Sequence, residues 1–190
     1  RKGLFRYDGY EFTPIHIKIA SAPPNNSSPV IEVTDIFEDM SGTIWVSTRS
    51  ELHKYNADEG LLNSLIDERN GPLFETIHRI NQLPSSEILF ASNSGLHILD
   101  TKSLSVTTFE HSPNDTNSLS HNTINDIYVE QDGTVWLATL AGINIINWAT
   151  KRIEQIIPVP NNINAKENAI TAIERDKDGN MWFGSEQALI

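Results

Sequence analysis

The chain of 190 residues contains no cysteine, which excludes disulfide bonds, zinc–thiolate sites and thiol nucleophiles. No apolar run approaches the roughly 18 residues that a membrane-spanning helix needs. Basic residues number only 14 against 25 acidic ones, and the net charge is −11. Because phosphate contacts need clustered Lys and Arg, we expect no nucleic-acid partner and no anionic-membrane surface.

What is present indicates a folded chain. Hydrophobic residues make up 38% of the sequence and four tryptophans occur, which excludes a disordered chain. The first ten residues, RKGLFRYDGY, already have the composition of a folded pattern, so we expect a piece of a longer polypeptide.

One sequence pattern recurs along the chain. It reads VTDIFEDMSGTIWVSTRSEL at 33–52, INDIYVEQDGTVWLATLAGI at 124–143 and ITAIERDKDGNMWFGSEQAL at 170–189. A degenerate copy, HRINQLPSSEILFASNSGL, lies at 78–96. Repeats in steps of about 45 residues are typical of β-propeller blades.

Each clear copy has an acidic residue, then Gly, then Trp, as expected for a strand, a tight turn and a second strand. These structural positions are Gly42, Trp45, Gly133, Trp136, Gly179 and Trp182. We expect the three tryptophans to form inter-blade core. The degenerate copy has Leu83 and Ser86 at the acidic and Gly positions, which predicts a differently built turn.

The predicted fold class is all-β, a β-propeller with about four blades of four antiparallel strands, as one module over 1–190 that belongs to a larger propeller. The predicted blades lie near 30–66, 73–110 and 122–157, with partial blades at 3–19 and 170–190. The two partial blades together also allow a closed ring of about four blades. Helical periodicity is weak, and only 61–70 favours a short helical turn.

The segment 109–147, FEHSPNDTNSLSHNTINDIYVEQDGTVWLATLAGINIIN, resembles the two-component-regulator propeller repeat. The opening GLFRYDGYEF is similar to it as well, and 76–100 is the poorest match. The resemblance implies the periplasmic sensor region of a hybrid histidine kinase or a related diguanylate cyclase receptor. It also implies a β-sandwich, a membrane helix and an output domain outside these residues.

The residues favour a non-catalytic module. The turn DKDGN opens like a calcium loop, but Gly179 comes too early and Gln187 occupies the twelfth position. Adjacent carboxylates such as Glu38 and Asp39 point to opposite faces of a strand and cannot flank one bond. The histidines show no ligand spacing. We therefore expect no catalytic residue, metal or cofactor. A propeller lyase or glycosidase and a pure dimerisation scaffold remain the alternatives.

The four strands of each predicted blade are labelled A to D in chain order. Propellers bind ligands with the loops that enter strand A and those that join strands B and C. The candidate ligand-binding residues on these segments are Asp35, Arg49, Asn93, Asn125, Thr139 and Thr171. The loops are rich in Asn, Ser and Pro, which suits an oligosaccharide or another polar small ligand bound by a receptor homodimer. The alternative is that these loops only satisfy their own backbones. Trp148 lies out of register with the other tryptophans, so we expect an exposed ring that stacks on a sugar or a partner.

Overall fold

A computed structural model describes residues 4–18, 32–49, 51–64, 75–162 and 164–185. The described chain is all-β apart from one 3₁₀ turn at Lys166–Asn168, and it forms two compact units, Arg1–Ile77 and His78–Ile190. Within these ranges, the structure contains no helix with the length and apolar character that a bilayer crossing requires.

The first unit is a single six-stranded sheet in the order β1-β2-β6-β5-β4-β3. Its strands are β1 (Leu4–Tyr7), β2 (Phe12–Lys18), β3 (Val33–Glu38), β4 (Ile44–Thr48), β5 (Leu52–Asn56) and β6 (Leu61–Ser64). Strands β3 to β6 form one antiparallel blade.

Two features of this unit differ from the sequence expectations. Residues 61–64 form strand β6 rather than a helical turn, because they pair with β5; the rest of 61–70 lies outside the described residues. The β1–β2 hairpin extends the first blade, since β2 pairs in parallel with β6. The hairpin therefore belongs to the same sheet as the first blade.

The second unit contains two four-stranded antiparallel sheets and one two-stranded sheet. The first sheet consists of β7 (Ile77–Gln82), β8 (Ile88–Ser92), β9 (Gly95–Leu99) and β10 (Val106–Phe109). The second consists of β11 (Ile124–Val129), β12 (Thr134–Thr139), β13 (Gly142–Asn147) and β14 (Arg152–Ile156), and the last of β15 (Ile170–Arg175) and β16 (Met181–Ser185).

The sheets of the second unit pack face to face through apolar side chains. One core cluster joins the sheets β7–β10 and β11–β14 and includes the fully buried Leu89 and Leu137. A second cluster includes Ala138 of β12 with Ile173 and Phe183 of the last sheet. Consecutive meander sheets stacked in this way are propeller blades, so the all-β propeller prediction is confirmed.

Strand A carries a β-bulge at the same place in three repeats. The register shifts lie between Val33 and Asp35, Ile124 and Asp126, and Ile170 and Ala172. A bulge re-aims the side chains beside it. In these three repeats, the side chains at the start of strand A therefore do not follow the directions that simple strand alternation predicts.

Candidate functional site

Each clear repeat has an acidic side chain at its A–B turn, and in the first repeat this side chain has two roles. Oδ1 of Asp39 accepts hydrogen bonds from the backbone N–H groups of Ser41 and Thr43, both at 2.9 Å. Its other oxygen, Oδ2, accepts the indole N–H of Trp45 at 2.8 Å. Gly42 supplies the left-handed φ of +81° that the tight turn requires. One carboxylate therefore closes the turn and orients the tryptophan.

The other two clear repeats use the same indole bond. The indole of Trp136 donates to Oε1 of Glu130 at 3.0 Å, and the indole of Trp182 donates to Oδ2 of Asp176 at 2.9 Å. The bonds from Trp182 and from the Asn180 amide lower the pKa of Asp176 to about 2. A carboxylate held in its charged form is a poor proton donor near neutral pH. The turn glycines are left-handed too, with φ of +88° at Gly133 and +90° at Gly179.

The degenerate repeat closes its turn with backbone hydrogen bonds at the positions that the clear repeats also use. The N–H of Ser86 donates to the carbonyl of Leu83, and the N–H of Leu83 donates to the carbonyl of Glu87, both at 2.9 Å. Ser86 takes the left-handed position with φ of +83°. The expectation of a differently built turn is therefore wrong for the backbone. The difference lies in the side chains, because the fully buried Leu83 and Leu89 stand in place of the carboxylate and the indole.

The three tryptophans share this hydrogen bond but not their burial. Trp45 is 3% exposed, whereas Trp182 is 45% exposed. Trp136 is half-buried and packs on Phe183 of the next sheet, with 5.9 Å between ring centroids. Trp182 lies on the last sheet of the described residues, and no following described strand covers it, so its place in an inter-blade core stays a prediction.

In the second unit, the loop face is the edge of the sheets that carries the first residues of the A strands β7, β11 and β15 together with the B–C turns. In the second unit, Asp126 connects three successive sheets at this face. Its Oδ1 accepts Nε of Arg79 from the preceding blade at 3.1 Å, and its Oδ2 accepts the N–H of Ile173 from the following sheet at 2.9 Å. The Asp126 side chain is only 14% exposed, while that of Arg79 is 50% exposed.

Sequence reasoning did not select Arg79 or Asp126. Asp126 could have been identified from its place in the repeat, because it occupies in its repeat the position that Asp35 occupies in the first. Asp35 was selected, and its Oδ1 accepts the N–H of Ile36 at 3.0 Å. Extending the selection to every repeat identifies the residue that links the sheets.

Asn93, Asn125 and Thr171 also lie on the loop face of the second unit. The Asn125 amide donates to the carbonyl of Ile170 in the next sheet at 2.7 Å. Oδ1 of Asn93 lies 2.9 Å from Nε2 of His78 at the start of strand A. Thr171 is exposed, and its hydroxyl donates to the carbonyl of Gly184 at 3.2 Å. Asn125 thus links two sheets, whereas Thr171 keeps an accessible surface.

Thr139 and Arg49, on the B–C segments of the two units, have opposite surroundings. Thr139 is fully buried; its hydroxyl donates to the carbonyl of Gly142 at 2.9 Å and lies 2.9 Å from Oγ of Ser120. In this conformation Thr139 is part of the turn and offers no surface to a ligand. In the first unit, the Arg49 side chain is 69% exposed and pairs with Glu32 at 2.8 Å.

The loop between the second and third blades, residues 110–122, uses many of its polar groups internally. Oγ of Ser118 accepts the N–H of Ser112 at 3.0 Å, and Oδ1 of Asn122 accepts the N–H of His111 at 2.6 Å. Nδ1 of His121 accepts the N–H of Thr123 at 2.9 Å. These contacts agree with the alternative that the loops satisfy their own backbones.

Strand C places a buried polar side chain at one repeated position. His97 lies between the hydroxyls of Ser92 and Thr108, with both contacts at 2.9 Å, and Asn144 occupies the equivalent place in the next repeat. In the first unit the equivalent residue is His53, which is 1% exposed. Burial lowers the pKa of both histidines to about 4, so they are neutral near pH 7.

Among the described residues, no group of three or more His, Asp or Glu side chains is arranged to hold a metal ion. The carboxylates of the A–B turns and of Asp126 accept N–H groups or pair with Arg, which are contacts that stabilise turns and sheet packing. The loop face presents polar groups on a rigid edge of the sheets, and such a surface can bind a ligand.

Several solved propellers share this fold. The extracellular domain of the one-component system BT4673 from B. thetaiotaomicron superposes with a TM-score of 0.74 at 18% identity, covering 99% of this chain and 26% of that one. The extracellular domain of the hybrid two-component system BT3049 from the same organism gives 0.61 at 18% identity, covering 83% and 28%. The virginiamycin B lyase of Staphylococcus aureus gives 0.60 at 16% identity, covering 91% and 52%.

The chain thus spans 26% to 28% of the two extracellular domains. Among curated proteins, no sequence matches it. The two-component regulator propeller pattern matches three segments, residues 27–50, 118–141 and 164–187. These segments contain the clear copies of the recurring strand–turn–strand unit. The recurring unit of this chain is therefore similar to the two-component regulator propeller repeat.

Proposed function

We propose that this chain is part of the extracytoplasmic sensor region of a bacterial two-component receptor, and that it recognises a polar ligand without catalysing a reaction. The observation that carries the proposal is the match of three segments to the two-component regulator propeller. The fold shared with extracellular domains of two-component systems is consistent with it.

The ligand site of this proposal is the loop face. Thr171 and Arg79 offer accessible polar groups there, while Asn125 and Asp126 connect the A strands of successive sheets. A ligand bound across the ends of these strands changes the relative stability of two sheet arrangements only if it binds one of them more tightly. In the parent receptor, a homodimer, this change in stability would alter the activity of the output domain.

A thermal-shift screen with oligosaccharides and other neutral polar compounds tests this proposal. A specific ligand raises the melting temperature by an amount that grows with the ratio of its concentration to Kd. The variants Thr171→Ala and Arg79→Gln are each expected to lower that shift. An exposed substitution away from the loop face, Glu154→Gln on β14, serves as the matched control. A shift that these loop-face changes leave intact contradicts the proposed site.

The enzyme alternative is tested with the same compounds. Incubation with polysaccharides, followed by chromatography of the products, is expected to show intact substrate. New reducing ends or unsaturated products contradict the non-catalytic assignment. Size-exclusion chromatography with light scattering, applied to the intact receptor ectodomain, tests the proposed homodimer.

A further inference from the structure

A groove of about 270 Å³ lies between the second and third blades, on the edge of the sheets opposite to the loop face. It is lined by side chains from the A–B turn, the C–D turn and the two outer strands of the second blade, and from the C–D turn of the third blade. The residues that matter for its chemistry are Glu87, Asp100, Thr107, Phe109, Trp148 and Lys151.

One wall of the groove is aromatic and already holds a cation. Trp148 is half-buried and lies against Phe109, with ring centroids 6.1 Å apart. The Lys151 ammonium lies over the indole, 2.9 Å from the ring centroid. Lys151 lies in the C–D turn with a left-handed φ of +57°, which is uncommon for a residue other than glycine. Trp148 is therefore half-covered rather than freely exposed, and its ring acts as a cation platform.

Two carboxylates, Glu87 and Asp100, also line the groove. Oε2 of Glu87 is buried, and no described side chain or backbone group donates a hydrogen bond to it. Asp100 is exposed, and its Oδ1 accepts the N–H groups of Lys102 and Ser103 at 2.8 and 3.0 Å. A buried carboxylate oxygen without a donor is costly unless a bound group supplies one.

Lys151 serves only part of this site. Burial lowers the pKa of Lys151, while the nearby Glu87 carboxylate opposes that shift. An ammonium centred over the ring cannot also extend sideways to the Glu87 oxygen. A guanidinium can do both, because its plane stacks on an aromatic ring while its N–H groups point outward in the plane. A cavity of this volume is also smaller than a typical ligand pocket and suits one side chain.

We propose that this groove binds the guanidinium of an arginine side chain presented by a partner polypeptide, stacked on Trp148 and hydrogen-bonded to Glu87. Lys151 occupies the ring face while the groove is empty and is displaced on binding. The charge fits, because two carboxylates face one lysine in a chain whose net charge is −11. This site is independent of the ligand proposed for the loop face.

The test is an NMR titration that follows the indole N–H signal of Trp148, assigned by its loss in Trp148→Phe. The probes are N-acetyl-arginine amide and its neutral isostere, N-acetyl-citrulline amide, at millimolar concentrations. We expect a saturable shift with the arginine compound and none with the citrulline compound. No saturable shift with the arginine compound, or equal shifts with both, overturns the proposal.

Three variants locate the binding. Glu87→Gln is expected to weaken binding at least about tenfold, because it removes a charge-assisted hydrogen bond. Lys151→Gln is expected to strengthen it, because the ring face is freed and a like charge removed. Glu154→Gln removes an exposed carboxylate from β14 and is expected to leave affinity unchanged. Unchanged affinity in Glu87→Gln overturns the proposal, provided that the indole signal of Trp136 shows an intact fold.

Discussion

Asp126 provides the sharpest test of how the blades of the second unit are held together. In Asp126→Asn the side chain keeps its shape but exchanges one acceptor oxygen for an NH₂ donor. In the native chain, Oδ2 of Asp126 accepts the N–H of Ile173 at 2.9 Å. Oδ1 accepts the N–H of Ile127 at 3.0 Å and the Nε–H of Arg79 at 3.1 Å. Whichever way the amide rotates, one backbone N–H faces another donor.

The size of the effect follows from the surroundings of each bond. A hydrogen bond to a charged group contributes about 1.5–3 kcal/mol to the free energy of unfolding, and most of this contribution is lost when a buried group is left unpaired. The ion pair with Arg79 adds only about 0–1 kcal/mol, since that side chain is 50% exposed. We therefore expect Asp126→Asn to lower the free energy of unfolding by about 2–3 kcal/mol, and Arg79→Met by less than about 1 kcal/mol.

Urea unfolding monitored by tryptophan fluorescence measures both changes, with m-values expected to stay constant. Asp178→Asn, at an exposed turn position, is the control for loss of one negative charge. If Asp126→Asn lies within about 0.5 kcal/mol of the wild type, the backbone bond to the next sheet does not hold the blades together, and the reasoning fails.

Three further changes test the repeat. Ser86→Gly is expected to stabilise the chain by about 0.5–1 kcal/mol in thermal unfolding, because it relieves the left-handed φ of +83°; a loss contradicts this. Trp45→Phe is expected to cost about 2–3 kcal/mol in urea unfolding, and Trp182→Phe less than about 1 kcal/mol, given their exposures of 3% and 45%; equal costs argue against it. Burial lowers the pKa of His53 and His97 to about 4, so the unfolded chain takes up protons before the folded chain as the pH falls. The free energy of unfolding is therefore expected to decrease by up to about 3 kcal/mol for each histidine as the pH is lowered from 6.5 to 4. Unfolding of His97→Asn, measured over the same pH range, is expected to depend less on pH.

The extracytoplasmic and ligand-recognition parts of the function were expected from the sequence resemblance and remain proposals. The repeat itself could be predicted, because strands, turns and periodicity are local properties. Strand A at 33–38, 124–129 and 170–175 lies within one residue of its expected position. The acidic–Gly–Trp pattern indicated turns, and short-range contacts within each turn are enough to form them.

Contacts between sheets could not be predicted from the pattern. Thr139 and Thr171 are both threonines near a strand end, yet one is fully buried in a turn and the other is exposed. Asp126 has no local feature that marks its bond to Ile173, a residue of the next repeat. The choice between ligand contact and structural role depends on which neighbour covers each side chain.

The sequence by itself determined the blade: its strands, its turns and the partner of each repeat indole lie within one repeat, so local hydrogen bonds and alternation define them. Only the tertiary structure decided how far each indole is buried, which strand the first hairpin joins, and that Trp148 and Glu87 share a groove. These outcomes depend on the packing of one sheet against the next and on which sheet edges are free, and neither property belongs to any single stretch of sequence.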